Sequence, residues 1–238
     1  MLRIEGFPEA HFHDIALEPE AKDRELAANS GVLNEPPLLK RLSIADPVVV
    51  PLDAGKAFVN DPDVAAFFTK HKDQYQFFLV RLACSFAPPH DEPISRAWVT
   101  VTLRANDGDK TTAVIALDPA RLVDTQDVER NWKAGVSLEV HEGAKLGFEM
   151  GPVVKRPEGE LVMTAVGIGE RKSGWEMYRT KATPIAGIYV FNLLIQAPPK
   201  HKTVGSIDAL MEIEKRFLFI PYKAKLAEHP FSKFVCTV

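Results

Sequence analysis

The stretch QFFLVRLACSFAPPHDEPISRAWVTVTLR, residues 76–104, decides the fold. In residues 76–86 an extended chain places Phe78, Val80, Leu82, Cys84 and Phe86 on one side and Phe77, Leu79, Arg81, Ala83 and Ser85 on the other. That pattern predicts a strand buried on one face and largely covered on the other. Residues 87–93 cannot continue a ladder, because Pro88, Pro89 and Pro93 lack the amide donor, so they read as a connection. Residues 94–104 alternate more strictly, with Ala97, Val99, Val101 and Leu103 against Trp98, Thr100, Thr102 and Arg104. This is the signature of a half-buried antiparallel strand.

Outward from this core the period stays near two. Asn106-Asp107-Gly108-Asp109 supplies turn residues, and Thr111–Leu117 is expected to return along the preceding strand as a hairpin. Val136, Leu138 and Val140, then Leu146, Phe148 and Met150, suggest a second hairpin about Glu142-Gly143. Leu161–Ile168, Trp175–Thr180 and Gly187–Ala197 give three more strand-like runs. Upstream, Asp61-Pro62-Asp63 reads as a helix start, with Val64, Phe67, Phe68 and His71 at helical spacing before Lys72. Downstream, Ser206 is expected to cap a helix whose face carries Ile207, Leu210, Met211 and Glu214, followed by an extended Phe217–Pro221.

Seven or eight short strands separated by turn signals rather than crossover helices predict a mainly β protein, an antiparallel β-sandwich. With no Cys-Trp-Cys framework, the likeness to immunoglobulin domains is one of architecture only. Three regions follow. Residues 1–46 form an acidic, loosely structured arm, with nine Asp+Glu against five Lys+Arg, and Glu18–Ala28 as a thin helix. Residues 47–200 are the sandwich core with one short helix near 62–72, and residues 201–238 form a basic helix and extended tail packing on it.

The 238 residues are 46% hydrophobic, enough to fill a core, and the formal charge of −3 shows no surplus for binding a polyanion. Cys84 and Cys236 show no metal spacing, residues 1–20 contain no apolar signal core, and the apolar run Ile185–Ile195 is too short for a spanning helix. A soluble protein in a reducing, cytoplasmic setting is therefore expected.

Candidate chemistry is sparse. His11-Phe12-His13-Asp14 is the only local cluster of metal-capable side chains, since His11 and His13 share a side of an extended chain and Asp14 adds a carboxylate. It would suit a small metal-assisted hydrolase, although nothing ties a third ligand to it. Cys84, with His90 beyond the loop, falls on an apolar face where thiols are usually inert. Gly167-x-Gly169 lacks the spacing and the following helix of a dinucleotide fingerprint. Trp98 on a polar face, Trp175, and Arg171 beside Lys172 are candidates for ligand or partner contact, but two adjacent cations fall short of a nucleic-acid stripe. No cofactor and no complete catalytic constellation is implied. The leading expectation is a non-enzymatic binding or protein-interaction module that self-associates or docks a protein partner through its acidic arm and basic tail. Membrane-surface contact through Phe217, Phe219, Phe231 and Phe234 of that tail is a further alternative.

Overall fold

The computed structural model describes residues 11–19, 40–52, 62–90, 92–104, 111–124, 159–200, 202–215, 220–226 and 233–237. In chain order the strands are β1 (Phe12–Ile15), β2 (Leu17–Pro19), β3 (Leu42–Ala45), β4 (Val48–Leu52), β5 (Gln76–Phe86), β6 (Ile94–Arg104) and β7 (Ala113–Asp118). They continue as β8 (Arg121–Val123), β9 (Leu161–Val166), β10 (Lys172–Tyr178), β11 (Gly187–Ala197), β12 (Thr203–Lys215), β13 (Ile220–Leu226) and β14 (Lys233–Cys236). One helix, α1 (Pro62–His71), precedes β5.

These strands form two antiparallel sheets packed face to face, the β-sandwich that the alternation predicts. The first sheet runs β1-β3-β5-β11-β7, and the second β2-β13-β12-β6-β10-β9-β8. Pro47 separates β3 from β4, which lie end to end along the same side of β5. Along β12, β14 and β13 share one side in the same way. The chain changes sheet between β1 and β2 at Ala16, and again between β7 and β8.

The core lies between the facing sides. Phe78, Val80, Leu82, Cys84 and Phe86 of β5 and Phe191, Leu193 and Ile195 of β11 meet Ala97, Val99 and Val101 of β6, Trp175 and Met177 of β10, and Ile207, Met211 and Ile213 of β12. Each large apolar side chain buried this way contributes about 1.5–3 kcal/mol. Phe234 of β14 lies over Gly205, where the absence of a side chain leaves room for its ring. On the outer side of the first sheet α1 sets Phe68 edge-on to Phe77, ring centroids 4.3 Å apart. The helix therefore lies where the pattern placed it, and it explains why β5 is apolar on both faces.

Three expectations differ from the structure. Ser206–Lys215 is strand, not helix: Ile207, Ala209, Met211 and Ile213 alternate inward, and a period-two run ten residues long outweighs one cap-like serine. β7 does not return along β6 but pairs with β11 in the other sheet. Ala113–Leu117 is buried at every position, so it needs cover on both faces, which a hairpin with half-exposed β6 would not provide. Within the stretch expected to be a loose arm, β1, β2 and β3 are paired strands, and Glu18 and Pro19 belong to β2 rather than to a helix. The turn at 106–109, the hairpin at 136–150 and Pro36-Pro37 lie outside the described residues.

Candidate functional site: a cationic end of the second sheet

Strand pairing brings together cations that are far apart in sequence. On the outward face of the second sheet the register aligns Lys233, Ser206, Thr102 and Lys172 across β14, β12, β6 and β10. The neighbouring row is Val235, Val204 and Arg104. At inter-strand spacings of about 4.8 Å the first row spans roughly 14 Å. Arg171 stands in the β9–β10 turn, where its carbonyl accepts the Leu103 amide at 2.8 Å, and Lys202 directly precedes β12. That turn depends on Gly167, whose φ of +74° is left-handed, and the Ser173 hydroxyl donates to the Gly167 carbonyl at 2.5 Å.

Arg104, Lys172, Lys202 and Lys233 are exposed and Arg171 is half-buried, and none of the five has an ion-pair partner among the described residues. Asp208, one row along β12, and Glu170 in the turn are exposed acids beside them. Val235 and Val166, 42% and 46% exposed, flank the cations. The other half of this face is chemically different. There Arg96 lies over both the Trp98 and Tyr178 rings, 5.7 and 5.1 Å from their centroids, and 3.6 Å from Glu176, while Arg179 pairs with Glu214 at 2.7 Å. Desolvation, then Glu176, raises the Tyr178 hydroxyl above its ordinary value.

Trp98 is thus half-buried on the outward face with Arg96 against its ring, whereas Trp175 points the other way into the core. The Trp175 indole donates to the Pro119 carbonyl at 2.9 Å, so its polar handle serves packing. His13 and Asp14 occupy opposite faces of β1. His13 meets Asp46 at 3.1 Å, and Asp14 accepts from the Ser43 hydroxyl at 2.7 Å. His11 is exposed, and among the described residues no three metal-capable side chains converge. Cys84 is fully buried, and desolvation pushes its thiol up to about 12; Cys236, also buried, is pushed equally far. The buried Glu92 is neutralised by Arg41, tying the start of β3 to the β5–β6 connection.

Sequence adjacency flagged Arg171-Lys172 alone. The other three cations sit at outward positions or strand ends, and only the register of β6, β10, β12 and β14 shows that they are neighbours. The alternation of residues 203–213 marks Lys202 and Ser206 as lying at one end of a strand, without naming its neighbour.

No family model and no curated protein matches the chain. Among solved structures, a chain titled "Pore forming protein" is similar at 9% identity, covering 99% of this chain and 93% of its own, with a TM-score of 0.38. A second, the Clostridium perfringens NetB toxin in the membrane inserted form, is similar at 8% identity, covering 96% and 94%, with a TM-score of 0.33. A TM-score of this size carries no argument for fold or activity. The titles differ from the soluble, cytoplasmic interaction module expected from the sequence, and that expectation is withdrawn on structural grounds. Its physical grounds fail independently. The two thiols are free because each is enclosed in the core, which says nothing of compartment. Phe234, expected as a surface anchor, is buried; Phe217, Phe219 and Phe231 lie outside the described residues. Among the described residues no helix is long and apolar enough to cross a membrane, a statement that does not extend to strands.

Proposed function

We propose that the protein acts at membranes by binding anionic bilayer surfaces through the cationic end of its second sheet. The supporting observation is the group Arg104, Arg171, Lys172, Lys202 and Lys233, unpaired among the described residues and flanked by exposed Val166 and Val235. A Lys or Arg near an anionic bilayer contributes about 1 kcal/mol, and outward valines add contact at the headgroup boundary. Asp208 and Glu170 reduce the net attraction without cancelling it. The field is screened within about 8 Å at physiological salt, so binding requires this face to approach the surface closely.

Flotation with vesicles of phosphatidylcholine, with and without phosphatidylserine, tests the reading at low and high salt. Binding should require the anionic lipid and weaken with salt. Equal binding to both vesicles, or none to either, overturns it. A duplex oligonucleotide that is bound while the vesicles are not would reassign the face to nucleic acid. Dye trapped in the same vesicles reports on the pore-forming activity named in the titles of the two similar structures.

A further inference from the structure

Within the cationic end of the second sheet, the register sets three cations around two hydroxyls. Thr102 and Ser206 are partners across β6 and β12, both half-buried on the outward face. Lys172 of β10 lies one strand beyond Thr102, and Lys233 of β14 one strand beyond Ser206, each about 4.8 Å away. Arg104 stands two residues along β6 from Thr102, roughly 7 Å off and at right angles to that row. All three cations are exposed, so their long side chains can turn over the hydroxyls from three sides. The Ser206 hydroxyl donates to the Thr102 carbonyl at 3.4 Å, close to the limit of such a bond, which leaves it ready to turn to a stronger acceptor above the sheet.

The fourth side is different. Away from Arg104, the next row pairs Thr100 with Gly174 on one side and Asp208 on the other. Position 174 is bare of necessity: a Cβ there would stand 2.1 Å from the Val99 carbonyl oxygen, so no side chain rises between Lys172 and Glu176. Thr100 beside it is short, and Asp208 closes the row with an exposed carboxylate.

These two halves select complementary chemistry. A phosphomonoester carries a charge of about −1.5 to −2 near neutral pH and three strong acceptor oxygens, which suits cations arriving from three directions better than a singly charged phosphodiester does. An ionised carboxylate only accepts hydrogen bonds, so Asp208 repels a second phosphate and takes a hydroxyl. Building on the proposal that this face meets anionic bilayers, we infer that it binds the headgroup of a phosphorylated inositol lipid. The ring phosphate sits over Thr102 and Ser206 between Lys172, Lys233 and Arg104, and a neighbouring ring hydroxyl donates to Asp208. The shared chemistry is that of a phosphorylated polyol. A lipid is its source because Arg171 and Lys202 extend the positive field beyond the reach of one headgroup, toward the surrounding bilayer.

The full chain is floated with phosphatidylcholine vesicles carrying phosphatidylserine, phosphatidic acid or phosphatidylinositol monophosphate, each adjusted to the same measured surface potential. Binding to the phosphoinositide vesicles should be at least tenfold tighter than to phosphatidylserine and at least threefold tighter than to phosphatidic acid. The free headgroup, inositol bisphosphate, should displace the protein, and inositol should not. Asp208→Ala separates recognition from net charge. Loss of this acid should strengthen binding to phosphatidylserine vesicles about fivefold, yet abolish the preference for phosphoinositide over phosphatidic acid, with the thermal midpoint unchanged. Ser206→Ala should lower the phosphoinositide preference and leave phosphatidylserine binding as it was. Equal binding to the three charge-matched vesicles overturns the inference and leaves adhesion to anionic bilayers standing, whereas binding to none overturns both. An Asp208→Ala chain that keeps the wild-type preference also overturns it, since the ring would then lie elsewhere. Free inositol bisphosphate bound while all vesicles are ignored would overturn the lipid source and assign the site to a soluble phosphorylated polyol.

Discussion

The outer faces of the two sheets solve the same problem in opposite ways. On the first, α1 covers one end with Phe68 packed on Phe77, and a polar row follows in which the Arg81 guanidinium donates to Asn192 at 3.2 Å and the Asn192 amide to Asp118 at 3.1 Å. Desolvation lowers the Arg81 pKa, and Asp118 opposes that shift. On the second sheet one half of the outward face is balanced by Arg96–Glu176 and Arg179–Glu214, and the other is left cationic. A face that is packed, or whose charges are matched, has already spent its interactions within the fold. The unmatched half is the one available to another surface.

The packed side should respond most strongly to substitution. Phe68→Ala should cost about 3–5 kcal/mol in urea unfolding, because it empties a fully buried site under the helix; a loss below 1 kcal/mol would mean that α1 does not cover the sheet. On the unmatched side, Lys172→Ala with Lys233→Ala should leave the unfolding midpoint in place while weakening binding to anionic vesicles about thirtyfold, or ~2 kcal/mol. On the balanced half, Trp98→Ala should lower stability by about 0.5–1 kcal/mol, the worth of an exposed cation–π contact, and leave vesicle binding unchanged. A loss of binding there would move the membrane contact to the wrong half.

The smallest effect depends on pH. Asp124 accepts from the Thr180 and Thr183 hydroxyls, which hold its carboxyl below the ordinary value. A depressed folded pKa contributes stability that is present above the unfolded value and is lost as pH falls through the folded one. Asp124→Asn should therefore lower stability slightly at neutral pH and flatten the acid limb below about pH 4, where the two proteins converge, as thermal unfolding across pH would show.

The alternation of residues 76–104 was sufficient for the sandwich because burial on one side of a strand imposes a period of two on its sequence. Partner choice leaves no such mark. A turn signal after Arg104 suggests a local return, yet the evenly apolar Ala113–Leu117 needed cover on both faces and joined β11. Ser206–Lys215 satisfied a helical spacing at Ile207, Leu210, Met211 and Glu214 as well as an alternation, and only the second matches its burial. The cationic end was legible as Arg171-Lys172 and no further, since Arg104, Lys202 and Lys233 become neighbours through register alone.

A single residue, Ala16, joins the two sheets at this end of the chain. Between β1 and β2 the chain changes sheet at Ala16, and the residues on either side, Ile15 and Leu17, are both sunk in the core at 1% exposure. The tether has no slack. Strain on β1 passes through a single backbone link to β2 and its partner β13, which borders the same β12 that carries Ser206 in the row between Lys233 and Lys172. The edge of the first sheet and the cationic face of the second are thus mechanically in series.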